Sequence, residues 1–308
     1  MALGWEQMIL MLMGPLFAVC MALEAWWQSR PGRRQTYTAD GTATNIALLL
    51  GYALADGCAW ALLTGLFYTV HEHRVMDVPV NALGLLGLLL AQDFCHYWFH
   101  RASHRVRWLW ASHVTHHSSQ TLNLSTALRQ SPASPVSGIW LFWLPLAWLG
   151  FEPMHVMLCV AASLVFQFFV HTQSIGKLPG LIEAVFNTPS HHRVHHARNP
   201  QYIDRNYAGV FIIWDKMFGT FVPEVAPCEY GIVRQVYTRN PLVMVFHEWA
   251  DLLHDVARPG KLSARLKHLW APPEWQRPYQ DRPVRRKAPS GPMLSYDGTE
   301  DWPIHAGW

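Results

Sequence analysis

The chain has 308 residues, enough for one large domain or two small ones. It is 51% hydrophobic and only 15% charged, against roughly 25% charged in a typical soluble domain. Sixteen tryptophans and eleven methionines strengthen a membrane-protein composition, because Trp concentrates at the two membrane interfaces, while a net charge of +3 with no basic cluster interleaved with aromatics excludes a nucleic-acid surface.

The first predicted span covers residues 8–27, apolar except for Glu24, with Trp26 and Trp27 at headgroup level. Its leading MALGWEQ lacks a basic region and no small-residue cleavage site follows, so it reads as a retained span and not a signal peptide. After a loop carrying Arg30, Arg33 and Arg34, residues 44–70 make a second span, interrupted by Asp56, a costly residue that marks a functional or bundle-facing position. The link HEHRVMD leads to a third span over 78–99. Each run is long enough to cross a hydrocarbon core of about 30 Å. Residues 132–170 are apolar again, broken by Gly150, Glu152 and Pro153, and form a transmembrane or re-entrant hairpin that returns the chain to the side it left.

Arg101, Arg105, Arg107, Lys177, Arg193 and Arg198 then fall on the same side as the first arginine loop, with only Arg74 opposite. The positive-inside rule makes that side cytoplasmic, in a multi-pass protein of bacterial inner-membrane type. The segment NPLVMVFHEWADLLHDVA is amphipathic at helical period and lies on the membrane surface or caps the cytoplasmic part. Residues 271–308 are rich in Pro and charge, an irregular tail behind a domain over 1–270. Cys20, Cys58, Cys95, Cys159 and Cys228 are scattered and odd in number, and read as small hydrophobes.

Histidine carries the chemistry. The stretch HRASHRVRWLWASHVTHH places His100 and His104 one helical turn apart and His113, His116 and His117 at i, i+3 and i+4. SHHRVHH repeats that spacing in His192, His195 and His196, with His191 one place earlier, and His171 ends the hairpin on the same face. Imidazoles gathered on helices are how a helical bundle builds a metal site. One metal cannot use so many ligands, so two metals are expected, and the lack of thiolates or bridging carboxylates argues against an iron–sulfur cluster or a Glu-x-x-His bundle.

Asp93, Glu183, Asp204 and Asp215 are candidates to orient ligand rings through the second nitrogen. Asp93 shares one helical stripe with His96, Tyr97 and His100, although an acid at the membrane boundary needs no such role. Any single histidine is more often a loop or core residue, and the isolated His71, His73, His155, His247 and His254 are read so, with a second reading of His247 as facing the site. His96 is an outer neighbour of the site. His191 and His192 compete, both having a partner four residues on. Arg129, Asn187, Asn206 and Tyr207 are polar groups beside the histidine segments that suit a substrate or cofactor pocket, though a turn role before Pro189 explains Asn187 equally well.

The strings DFCHYWFHRASH, HVTHHSSQTLNLSTALRQS, FVHT and NTPSHHRVHHARNPQYIDRNYAGVFIIWDKMFGTF resemble the fatty acid hydroxylase and sterol desaturase superfamily of integral membrane di-iron oxygenases, whose boxes are HxxxH, HxxHH and HxxHH. The likeness is dense over roughly residues 90–223. It implies an all-α membrane bundle, about three spans and a hairpin, whose cytoplasmic histidine-rich cap holds two irons, with His192 preferred to His191. It further implies O2 as co-substrate and a membrane lipid as substrate. NTPSHHRVHH and IIWDKMFGTF point to the ether-lipid-cleaving subgroup, and with it to tetrahydrobiopterin or another electron donor, a donor protein included. Arg105 stands where that subgroup has an acid, Gln120, Thr121 and Leu122 replace Glu-Asp-Tyr, and His96 replaces a tyrosine, which leaves substrate and reductant open. The alternatives are a sterol, fatty acid or sphingolipid desaturase or hydroxylase and, from another class, a metal transporter, which would place its ligands near the bilayer midplane.

Overall fold

The computed structural model describes residues 5–277, with side chains from residue 12 onward; the predicted tail lies, from residue 278, outside the described residues. Helix α1 (Trp5–Gln28) is followed by α2 (Ala39–Glu72), α3 (Ala82–Arg105) and α4 (Arg107–His117). Thr38 caps α2 by accepting from Gly41 N–H, and Asn81 caps α3 by accepting from Gly84 N–H. At Val106 the backbone turns extended (φ −119°, ψ 114°), so the first histidine stretch is two helices and not one. His100 and His104 sit in the last two turns of α3, and α4 folds back with the other three.

The expected hairpin is only half regular. Its second arm is α6 (Pro153–Val170), but its first is a chain of 3-10 turns ending in a short α5 (Leu144–Leu149). Pro132, Pro135, Gly138 and Pro145 explain why no continuous helix forms there. Gly150, at φ 120°, lets the turn pass against the Met76 carbonyl, where any Cβ would collide. Short helices α7 (Gly180–Val185), α8 (Pro189–His195) and α9 (Ile213–Met217) carry the second histidine segment and its surroundings. The amphipathic segment is α10 (Pro241–Ala257); it lies along α4, with α11 (Leu262–Trp270) against both. Among the described residues there is no strand, only two isolated bridges.

Two described helices, Ala39–Glu72 and Pro153–Val170, are long and apolar enough to cross a membrane. Only 6% of the apolar window of α2 is buried within the protein, and Leu50, Leu54 and Leu62 are 66–82% exposed. A helix so apolar and so bare suits a lipid surrounding, since in water it would need a protein partner over its whole circumference. Inside, Phe17 of α1 stacks on Phe168 of α6 at 4.0 Å, and Phe67, Leu88, Leu146 and Val156 tie α2, α3, α5 and α6 together.

Candidate metal centre

Each histidine reaches the site from an element whose end the sequence dictates. Thr188 accepts from His191 N–H and Pro189 occupies the first turn, which starts α8 where its side chains point inward. His171 ends α6, its Nδ1 donating to the Gln167 carbonyl at 2.6 Å. The result is two groups: His100, His104, His113, His117 and His195; and His116, His171, His192 and His196. Within each group the facing nitrogens lie within 4.8 Å of one another. The groups adjoin, with the His117 and His196 rings stacked at 4.5 Å.

The proton arrangement tests whether metals fit. His100, His116, His171 and His195 each present Nδ1 to a backbone carbonyl, those of Tyr207, Arg129, Gln167 and Arg205, at 2.6–3.3 Å. A neutral imidazole has one N–H, so in these four Nε2 carries a lone pair. Yet Nε2 faces Nε2 at 2.9–3.2 Å in the pairs His100–His113, His113–His117, His117–His195, His116–His171, His171–His192 and His192–His196. In His116–His171 both rings are among these four, so two lone pairs stand 3.2 Å apart and repel unless a cation lies between them. Burial first, then neighbouring imidazoles, pushes His113, His116, His117, His192, His195 and His196 well below the ordinary histidine range, and burial takes His171 down to about 4. These rings are neutral near pH 7, the form that binds metal. Each group is able to hold one metal ion.

Three of the four surrounding acids do different work from the expected one. Of the four candidates only Asp204 touches a grouped histidine: its Oδ1 lies 3.4 Å from His104 Nδ1, while its Oδ2 holds Arg105 at 2.5 Å. Asp93 reaches no ring. It accepts from the backbone N–H groups of Val210 and Phe211 and from Trp214 Nε1 at 2.7–2.9 Å. Asp215 likewise accepts from Tyr207 N, Ala208 N and Thr220 Oγ1. Together they buckle the 206–220 loop, whose Tyr207 carbonyl orients His100. Glu183 pairs with His191 at 2.8 Å, and His191 Nδ1 faces the Phe186 carbonyl, so His191 stays outside both groups. Four of the nine grouped rings therefore take their orientation from carbonyls, which no side-chain pattern reveals.

Arg129 donates to Thr115 O, Ser118 Oγ and Asn45 Oδ1, bracing the end of α4. Asn187 donates to Ala208 O, and Asn206 to His191 O and Val222 O, so both are loop fasteners and not pocket groups. His96 lines the cavity described below. Two positioning residues escaped the sequence reading. Arg193 binds Glu224 and the carbonyls of Thr172 and Ile175, locking α8 to the loop after His171. Glu24 accepts from the hydroxyls of Thr172, Ser174 and Tyr37 and from Leu124 N. Its signal was visible: an acid in an apolar run needs partners.

A cavity of about 400 Å³ opens beside both groups. His100, His113, His116, His171 and His192 line it together with Phe17, Leu49, Leu63, Val160 and Leu164 of the long helices.

Among the described residues, helices and turns carry two adjoining imidazole groups able to hold metal ions beside a largely apolar cavity, and two of the helices are apolar enough to cross a membrane. The chain belongs to the fatty acid hydroxylase family: that family's model matches residues 85–220. It is 45% identical over 186 residues to alkylglycerol monooxygenase of Homo sapiens (60% of this chain, 41% of the relative) and 44% identical over 214 residues to that of Danio rerio (69% and 47%). It is also 30% identical over 228 residues to the ornithine lipid hydroxylase OlsE of Rhizobium tropici (72% and 68%). The chain spans less than half the length of the alkylglycerol monooxygenases it matches. No solved structure matches.

Proposed function

We propose that the nine grouped histidines hold two irons and that the chain is a membrane monooxygenase hydroxylating a lipid, an alkyl glycerol above all. The observation that carries this reading is the junction of both imidazole groups with one apolar cavity walled by the long helices. Iron bound there would supply the activation of O2. The residues of this chain do the rest. The cavity takes an alkyl chain from the bilayer and keeps water from the reacting carbon. The carbonyl-anchored rings hold their nitrogens fixed toward the metals. One oxygen atom enters the C–H bond beside the ether oxygen, and the other leaves as water with an electron pair and protons from a donor. The hydroxylated carbon is a hemiacetal carbon, which separates into a fatty aldehyde and free glycerol. Tetrahydrobiopterin is the proposed donor, with a donor protein as the alternative.

The site is proposed to face the cytoplasm, by the positive-inside rule, in a membrane of bacterial inner type since no organelle address is visible, with residues 1–270 as the oxygenase domain and 271–308 as an irregular tail. Similarity to an ornithine lipid hydroxylase over 68% of its length supports a second reading, in which the hydroxyl is placed on another amphipathic lipid and no ether is broken. Family membership sets the transporter reading aside. Detergent-purified protein, incubated with an alkyl glycerol, O2 and tetrahydrobiopterin, is expected to release fatty aldehyde. A stable hydroxylated or unsaturated lipid with no aldehyde would move the chain to the second reading or to a desaturase.

A further inference from the structure

The cavity wall contains polar groups that neither the metals nor the fold accounts for. Gln92 is wholly buried, and neither its Oε1 nor its Nε2 has a hydrogen-bond partner. One helical turn along α3, His96 also lines the cavity and its buried Nε2 has none either. Buried amides and imidazoles left unpaired are costly, and in native structures such groups ask for an explanation. Gln92, His96 and His100 lie at i, i+4 and i+8 on one face of α3, so the unpaired groups are successive steps leading to the five-histidine group. The His96 and His100 rings are 5.5 Å apart. Apolar side chains at 92 and 96 would seal the wall at no such cost, and the rest of the lining is mostly apolar.

We propose that Gln92 and His96 form a polar subsite for an oxygen of the substrate, a hydroxyl or an ether oxygen, and so fix how far the chain advances and which carbon meets the metals. This rests on the lipid-oxygenase reading above and adds to it a specificity device. A primary amide both donates and accepts, and an imidazole nitrogen does one or the other, so together they pair with an alcohol or ether whatever its orientation. A cavity lined only by hydrocarbon distinguishes lipids by length. A cavity with these two groups distinguishes an oxygenated lipid from a plain alkane, because an alkane leaves them unpaired.

The test compares the metal-loaded full chain with Gln92→Met and His96→Phe, measuring equilibrium binding of radiolabelled O-hexadecyl glycerol and of hexadecane, with metal content as a check on integrity. The wild type is expected to prefer the glycerol ether. Each variant should weaken glycerol-ether binding about tenfold, the value of one hydrogen bond lost, and leave hexadecane binding within a factor of two or tighter. Oxidation in the variants should spread to carbons away from the ether. Equal loss for both lipids, or loss for neither, would overturn the subsite and leave the amide with a structural or water-binding role. A wild type that binds the ether tightly yet releases no aldehyde would instead sink the ether-cleavage reading while the subsite stands. Should Gln92→Met fail to fold, His96→Phe carries the same comparison one turn nearer the metal.

Discussion

His191 and His192 are adjacent in sequence and opposite in fate, and the difference lies in what already occupies their nitrogens. His191 is engaged on both sides, by Glu183 and by the Phe186 carbonyl, whereas His192 Nε2 faces His171 and His196, and its buried Nδ1 is unpartnered. On the two-iron proposal, His192→Ala is therefore expected to lose one of the two metals while His191→Ala keeps both; elemental analysis of the purified variants reads this directly. Asp204 offers a subtler test, since it steadies His104 from behind while pairing with Arg105. Removing an outer partner of a metal-binding imidazole commonly costs 10–100-fold in affinity. Asp204→Asn should lose one metal to a chelator at correspondingly lower concentration, and a titration identical to wild type would show that His104 is oriented by packing alone. The histidine groups were legible because side chains that converge at helical spacing leave a periodic trace. Their orienting carbonyls were not, because every residue has one.

The 206–220 loop behaves as an element of the site, drawn tight around two buried carboxylates, and Gly209 is where it passes closest to α3. A Cβ there would lie 2.7 Å from both Asp93 Oδ1, a carboxylate held by three hydrogen bonds, and His96 Cδ2. Gly209→Ala is accordingly expected to destabilise the protein by about 1–3 kcal/mol, the range for overpacking, seen as a lower midpoint in thermal unfolding. Further along the chain, Arg107 gathers three helices by binding Glu248 and Asp255 of α10 and His268 of α11. Burial raises the Asp255 carboxyl, but the hydrogen bond and charge of Arg107 outweigh it and leave the group below its ordinary value. A carboxyl depressed in the fold stabilises fully above the unfolded value of about 4 and loses that contribution as pH falls below it. Asp255→Asn should thus melt earlier than wild type at pH 7, with the gap closing toward pH 3. The amphipathic period of α10 was readable in sequence, and so was its choice between membrane surface and cap. That one face of α10 meets α4 through the buried Arg107 was not readable.

At the scale of the whole molecule the departure from the sequence reading lies where apolar residues do not form one helix. Residues 132–149 have the composition of a membrane span, and hydropathy cannot see that their prolines and Gly138 break them into short turns. Those turns matter because they leave a wall, through Trp140 and Trp143, and not a packed helix beside α3, so that space remains between α2, α3 and α6. A composition rule reports apolar content; the cavity is a consequence of where helices stop. On the proposed function, its length limits the lipid. Val160 of α6 lines it among the long helices, several turns before His171 at the end of the same helix. Val160→Trp would fill part of the apolar section without touching a histidine, so metal content should stay at the wild-type level. Long-chain alkyl glycerols should lose about tenfold in turnover efficiency, equivalent to about 1.4 kcal/mol, while short-chain ones hold steady, a contrast that a chain-length series of substrates measures. Equal losses at every length would mean that the lipid approaches the metals from another side, and that the space between the long helices is not its path.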